Sequence, residues 1–168
     1  MMAGFHTKTF IKHDDYMTPK YAWENIKDFI PKNKIIWEAF YGDGKSGEYL
    51  KELGFDVIHE EIDFFNEQPK EYDIIVSNPP FSKMKEIMEK LKEYDKPFIL
   101  ILPASKMCTN ALRQWKDKHL QIIIPRKRIQ FNKLMNGEQS KEHKNQCNFD
   151  CFYYCYKMNL KNDIIWLN

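Results

Sequence analysis

Four consecutive residues, Asn78-Pro79-Pro80-Phe81, are the part of this sequence best equipped for chemistry. They follow Asp73-Ile74-Ile75-Val76-Ser77, whose apolar centre reads as a strand covered on both faces. In open α/β sheets, ligands bind where parallel strands end at their carboxyl side. A residue before proline is held extended, and both Asn78 and Pro79 precede one. Pro79 and Pro80 have a fixed φ and no N–H. The segment is therefore a stiff platform aiming two acceptors, the Asn78 side-chain oxygen and a proline carbonyl, with the Phe81 ring beside them. Such a platform suits an exocyclic amine on a planar ring. The lone pair of that amine is delocalised, so it attacks poorly. Accepting both N–H bonds favours a pyramidal nitrogen and stabilises the positive charge that grows during attack. Phe81 would stack on the ring and hold it in line with the group being transferred. The bland alternative is a proline-rich turn that only ends a strand.

That platform needs a sheet behind it. Residues 19–29 read as a helix capped by Thr18, with Trp23, Ile26 and Ile30 at helical spacing. Residues 34–37 are a short strand closed by Glu38. A Gly-rich turn follows, then a helix through Tyr49 and Leu53 that stops at Gly54. Residues 55–59, 72–77, 98–102 and 120–124 read as further strands, and 84–91 and 106–115 as helices. Residues 132–146 read as a polar loop around Gly137, and 149–156 and 164–167 as two closing strands. With no helix between those last two, they form an antiparallel edge pair. The alternation predicts an α/β fold with a mostly parallel sheet and helices on both faces.

Composition sets the outer bounds. A length of 168 residues is one domain's worth, able to bury roughly 70% of its unfolded surface. An apolar share of 43% beside 30% charged residues excludes wholesale disorder. No apolar run reaches the ~18 residues that span a bilayer. Residues 1–15 lack the apolar core of a signal peptide, so the chain is expected to stay inside the cell. Its thiols are then expected to be reduced. Residues 113–144 carry nine bases against three acids, a local +6 that leaves the remainder at −4. Within that stretch Arg113, Lys116, Arg126, Lys127, Arg128 and Lys133 are candidates for a polyanion such as nucleic acid, the alternative being a solvated lysine-rich surface. His143, Cys147, Cys151 and Cys155 are four apart. In a strand, Cys151 and Cys155 would be ~13 Å apart, too far to share one ion, so no metal is expected.

Asn78-Pro79-Pro80-Phe81 after a buried strand resembles the catalytic motif of the S-adenosylmethionine-dependent DNA N6-adenine methyltransferases, in particular the small phage-type, Dam-like group. The rest of the chain fits in order. Glu38-Ala39-Phe40-Tyr41-Gly42-Asp43-Gly44 is similar to the cofactor loop of that family. Gly42 and Gly44 would let the backbone approach the cofactor beside Phe40, and Glu38 would meet its ammonium. The resemblance implies that Glu61 holds the ribose (Glu60 is equally near), that Asp63 reads the adenine amine and that Phe64 packs on its ring. Taken without it, these acids are surface charges. Asp14-Asp15-Tyr16-Met17-Thr18-Pro19 resembles an N-terminal element in which the aromatic and the threonine, here Tyr16 and Thr18, contact the cofactor. Arg128-Ile129-Gln130-Phe131 and 148–154 are similar to later segments of the same group.

The resemblance implies a Rossmann-like class I methyltransferase fold with an antiparallel C-terminal strand. It also implies transfer of a methyl group from S-adenosylmethionine to N6 of adenine in DNA. Two departures matter. Alanine at 39 stands where proline is common, and only nine residues separate Asp63 from Asp73, so the usual third strand is expected to be rudimentary. No segment is long enough for a separate target-recognition domain, which leaves that task to the basic stretch, the 132–146 loop or a partner subunit. The other readings are an RNA adenine methyltransferase and a non-catalytic nucleic-acid-binding subunit. A glutamine-directed protein methyltransferase fits less well, because tyrosine usually takes the place of Phe81.

Overall fold

In a computed structural model of the chain, residues 16–135, 138–139 and 149–168 are described, with the backbone alone for 133–135 and 138–139. Fourteen elements follow one another: β1 (Tyr16–Met17), α1 (Lys20–Glu24), β2 (Ile35–Trp37), α2 (Lys45–Glu52), β3 (Asp56–Ile58), β4 (Ile74–Ser77), α3 (Met84–Tyr94), β5 (Phe98–Pro103), α4 (Asn110–Arg113), β6 (Gln121–Ile124), β7 (Asn132–Met135), β8 (Glu138–Gln139), β9 (Cys151–Tyr156) and β10 (Ile164–Trp166).

Seven strands make one sheet in the order β10-β6-β9-β5-β4-β2-β3, parallel throughout except for β9. This is a Rossmann-like α/β fold. One face, carrying Ile36, Val76, Ile99 and Tyr153, packs under α1, the turn after it and α2 through Trp23, Ile26 and Leu50. The other, carrying Trp37, Ile75, Leu100 and Tyr154, packs under α3 and α4 through Ile87, Leu91 and Leu112. Burial on both faces explains why the central strands read as unbroken apolar runs. From β2 the chain steps outward to β3 and then returns to β4 on the other side of β2. The sheet order therefore reverses between β2 and β4, where the crevice of such sheets opens. Residues 59–73 contain neither helix nor strand, in line with the expected loss of a third strand.

Several local expectations are corrected. Pro19, in extended backbone, occupies the cap position of α1, and no side chain caps that helix. The helix expected over 19–29 is a short α1 followed by a 3-10 turn at Lys27–Phe29. Residues 106–115 give only α4, preceded by a 3-10 turn at Ala104–Cys108. Part of the expected 132–146 loop is the β7–β8 hairpin, and β7 pairs with β1. The last two strands are not neighbours. β9 inserts antiparallel between β5 and β6, and β10 joins β6 in parallel. Burial explains the exchange: five of six β9 residues are buried and need a strand on either side, whereas Ile164 and Trp166 of β10 are exposed, as an edge allows.

Candidate active site

Two loops leave the carboxyl ends of neighbouring strands and face each other across the switch point. Residues following β2 and β4, together with β1 and Thr18, line one cleft: Tyr16, Met17, Thr18, Glu38, Phe40, Tyr41, Gly42, Asp43, Ser46, Asn78, Pro79, Pro80 and Phe81. Its open space is about 530 Å³.

Asn78 is half-buried and follows the last residue of β4. Its side-chain Nδ2 donates to Thr18 Oγ1 at 2.9 Å, while Oδ1 has no partner among the described residues. The amide is thus clamped on one side and open on the other. This is the arrangement of an acceptor waiting for a donor, since a buried acceptor left unpaired is costly. Thr18, expected either as a helix cap or as a cofactor contact, spends its hydroxyl oxygen on Asn78. Phe81 is half-buried, and its ring meets Phe149 edge to face at 5.5 Å. Phe149 in turn contacts Tyr16 at 5.4 Å and stacks on Phe131 at 5.8 Å. The sequence reading missed Phe149. It was read only as the first residue of a closing strand.

Glu38 forms the floor of the cleft and is 1% exposed. Ser77 donates its hydroxyl to Oε1, whereas Oε2 has no partner among the described residues. Burial pushes this carboxyl up to about 8, against the pull of the Ser77 hydroxyl and the Phe40 backbone, with Asp43 adding to the rise. Ser77 was read only as the end of a strand. Gly42 and Gly44 have φ of +57° and +84°, which glycine adopts freely. Gly42 lines the cleft; Gly44 instead begins α2, its N–H bonded to the Tyr41 carbonyl at 2.9 Å.

Three expected cofactor contacts are not brought to this cleft. Glu61, like Glu60, is exposed on the loop after β3. Asp63 turns its carboxylate into its own loop, accepting from the Phe65 N–H at 3.1 Å and from the Asn66 side chain. Phe64 is fully buried, with Trp37, Phe40 and Tyr94 around its ring, so it supports the wall behind Phe40 and is not free to stack on a ligand. The cause is the missing strand: a long loop without helix or strand must anchor itself, and Phe64 is its fully buried anchor.

The basic residues also divide. Arg126, Lys127 and Arg128 are exposed on the segment leaving β6 at the cleft end of the sheet, pinned by the buried Ile129 and Phe131. Arg128 is already engaged: its Nε lies 2.8 Å and its Nη2 3.3 Å from the two Asp150 carboxylate oxygens. Arg113 and Lys116 flank Trp115, whose ring packs on Phe98 and Tyr156 at the opposite end of the strands. Lys133 lies in β7, opposite Tyr16. Cys151 and Cys155 are buried, and burial pushes the Cys155 thiol up to about 12. His143 and Cys147 lie outside the described residues, as do Asp14 and Asp15. No group of three potential metal ligands occurs among the described residues, and no helix among them is long and apolar enough to cross a membrane.

Strand order and cleft position define a Rossmann-like α/β domain with its ligand crevice at the switch point. Residues 46–122 match the family model of the EcoRI adenine-specific methyltransferase. The type II methyltransferase M.EcoRI of Escherichia coli is 36% identical over 98 residues, 58% of this chain, and the match spans about a quarter of the length of that relative. Among solved structures, the chain is similar to a dimethyladenosine transferase from Plasmodium falciparum, with a TM-score of 0.47, 12% identity, and 84% of this chain and 62% of the other covered. It is also similar to a TehB-like SAM-dependent methyltransferase from Corynebacterium glutamicum, with a TM-score of 0.45, 14% identity, and 79% and 84% covered. At these scores the fold assignment rests on the strand order itself.

Proposed function

We propose that this chain transfers a methyl group from S-adenosylmethionine to the N6 amine of adenine in DNA. The observation that carries this reading is the half-clamped Asn78 amide, with its free Oδ1 in the same cleft as the buried Glu38 carboxyl. The match of residues 46–122 to an adenine-specific methyltransferase model supports the choice of base, and M.EcoRI supports DNA.

The residues present fit the cofactor. Glu38 Oε2 lacks a partner in the floor of the cleft and would accept from the α-ammonium. Tyr16, Phe40 and the bend at Gly42 would form the wall against the rest of the molecule. When bound, the cofactor supplies an electrophilic methyl on a sulfonium. The protein would do the rest by placement. Asn78 Oδ1 would accept one N–H of the target amine, a proline carbonyl would accept the other, and Phe81 would stack on the base. Pro79 and Pro80 are buried, which keeps the platform stiff. The base must leave its stack to reach this cleft, at an expense of a few kcal/mol in a duplex. Arg126 and Lys127 are placed to hold the flanking phosphates; target recognition would come from them, from 132–146 or from a partner subunit.

The reading is tested with radiolabelled S-adenosylmethionine and matched DNA and RNA oligomers, single- and double-stranded. Label on adenine N6 of DNA is expected. A folded protein that labels neither polymer overturns the activity, and label on RNA alone overturns the choice of DNA.

A further inference from the structure

Behind the cleft floor, where β2 and β3 end, two buried side chains face each other, each with one open atom. Glu38 Oε2 and His59 Nε2 are 3.8 Å apart, their side chains 1% and 6% exposed, and neither atom has a hydrogen-bond partner among the described residues. The imidazole is held in place. Its ring stacks on Tyr41 at 4.6 Å with an interplanar angle of 18°. Gly47 of α2 makes room for it: a Cβ at that position would fall 2.0 Å from His59 Cγ. Burial keeps the ring neutral, and with its proton on Nδ1 the Nε2 atom is an acceptor facing Glu38.

We propose that Glu38 keeps one proton in the ligand-free protein, facing the open Nε2 of His59, and that a cationic head group binding at Glu38 expels it to solvent. His59 is the positioning residue in this scheme. It holds the carboxyl in place and sets the pH at which the proton leaves. The proposal rests on the cofactor reading above and adds the proton and the role of His59. Atoms and charge balance: the Glu38 O–H bond breaks, the proton goes to the buffer, and the freed carboxylate oxygen accepts an ammonium N–H. One charge of each sign then meets in a site that was neutral.

The surrounding groups agree with a protonated carboxyl at neutral pH. Burial holds Glu38 near 8 and pushes His59 below its ordinary value. Facing the pair are Ser77 from β4, Tyr41 and Asp43 from the loop after β2, and Glu48 and Lys51 from α2. Lys51 lowers His59 further, while Glu48 and Asp43 oppose it. A carboxyl raised in the folded protein keeps its proton below about 8. A cation must therefore displace that proton, and its affinity falls about tenfold per pH step down.

Calorimetry of the full chain with S-adenosylmethionine, over pH 6.0–7.5 in two buffers of different ionisation enthalpy, tests this. The α-ammonium of the probe stays largely charged in that range. Binding should be about twentyfold tighter at pH 7.5 than at 6.0, with about one proton released at the lower pH. Methylthioadenosine, which has no ammonium head, should bind with no such slope. His59→Phe keeps a ring against Tyr41 but removes Nε2. It should tighten donor binding at pH 7.0 and shift the slope to lower pH, and His59→Gln, which can offer an acceptor oxygen, should restore part of the wild-type profile. Donor binding that is flat with pH and releases no proton overturns the proton held by Glu38 while leaving the cofactor reading intact. Failure to bind the donor at any pH overturns both. An unchanged profile in His59→Phe overturns the role of His59; if that variant does not fold, His59→Gln and the wild-type profile decide.

Discussion

The two ends of the parallel strands treat their polar groups in opposite ways. At the amino end, polar groups close on one another. Asp73 Oδ2 accepts the Ile35 N–H at 2.8 Å, Lys96 donates to the Tyr72 carbonyl at 3.2 Å, and Tyr156 and Lys157 meet Asp95 at 2.6 and 2.9 Å. At the carboxyl end, Glu38 Oε2, His59 Nε2 and Asn78 Oδ1 are buried without partners. Gln130 Oε1 and the indole nitrogens of Trp37 and Trp115 also lack partners among the described residues, but both indoles sit within aromatic clusters, where the ring is what packs. A closed network stabilises. An open one keeps its unpaired atoms only where a ligand completes them, because each such atom costs about 1–3 kcal/mol when left alone.

Asn78→Ala should break this contrast most severely. Removing one preorganised polar contact to a reacting group costs roughly 10²–10³-fold in turnover. Thr18 Oγ1 loses only a donor that water can replace, so the melting temperature and the donor affinity should hardly move. The measurement is single-turnover methyl transfer beside thermal unfolding. A large stability loss with little change in rate would make Asn78 a structural residue like those at the other end.

Asp73→Ala is the reciprocal change. It leaves the Ile35 N–H unpaired at the start of β2, with an expected stability loss of about 1–3 kcal/mol in denaturant unfolding. Donor affinity, measured in the folded fraction, should stay within about twofold, since β2 and β4 are still paired through Ile36↔Ile74 and Trp37↔Ile75. A selective loss of donor binding would show that the two ends are coupled.

How far these ends could be read from the sequence differs for a physical reason. Residue types with one chemical use were legible: Asn78-Pro79-Pro80 is stiff whatever its surroundings, and Gly42 needs its positive φ locally. The alternation of apolar runs with helical spacing gave the parallel sheet, and the short gap from Asp63 to Asp73 gave the missing strand. What failed depended on contacts distant in the chain. Phe64 reads like a ring ready to stack, and only tertiary packing buries it against Trp37. β9 and β10 look like a hairpin until β6 competes for both as a neighbour. His59 gave no signal, because its meaning comes from Glu38 and Tyr41 on the loop after β2 and from Gly47 of α2, all distant from it in the chain.

The smallest expected effects concern the basic residues, where the comparison of ends can be sharpened without disturbing the fold. Arg126 and Lys127 are exposed at the cleft end, whereas Lys116 is exposed beside Trp115 at the other. Removing a cation that neutralises one phosphate should lower the slope of log affinity against log salt by about 1 and weaken binding to all sequences alike. Arg126→Ala and Lys127→Ala should each do so in a fluorescence-anisotropy titration with a DNA oligomer, and Lys116→Ala should leave the slope unchanged. Arg128→Ala is expected to behave differently again. Its guanidinium already forks onto Asp150, next to the Phe149 ring that meets Phe81. Its loss should therefore alter turnover through the base-stacking wall more than it alters the salt slope. A slope change in Lys116→Ala as large as that in Arg126→Ala would mean that nucleic acid wraps the sheet from end to end, and the cleft end would lose its claim to be the sole contact face.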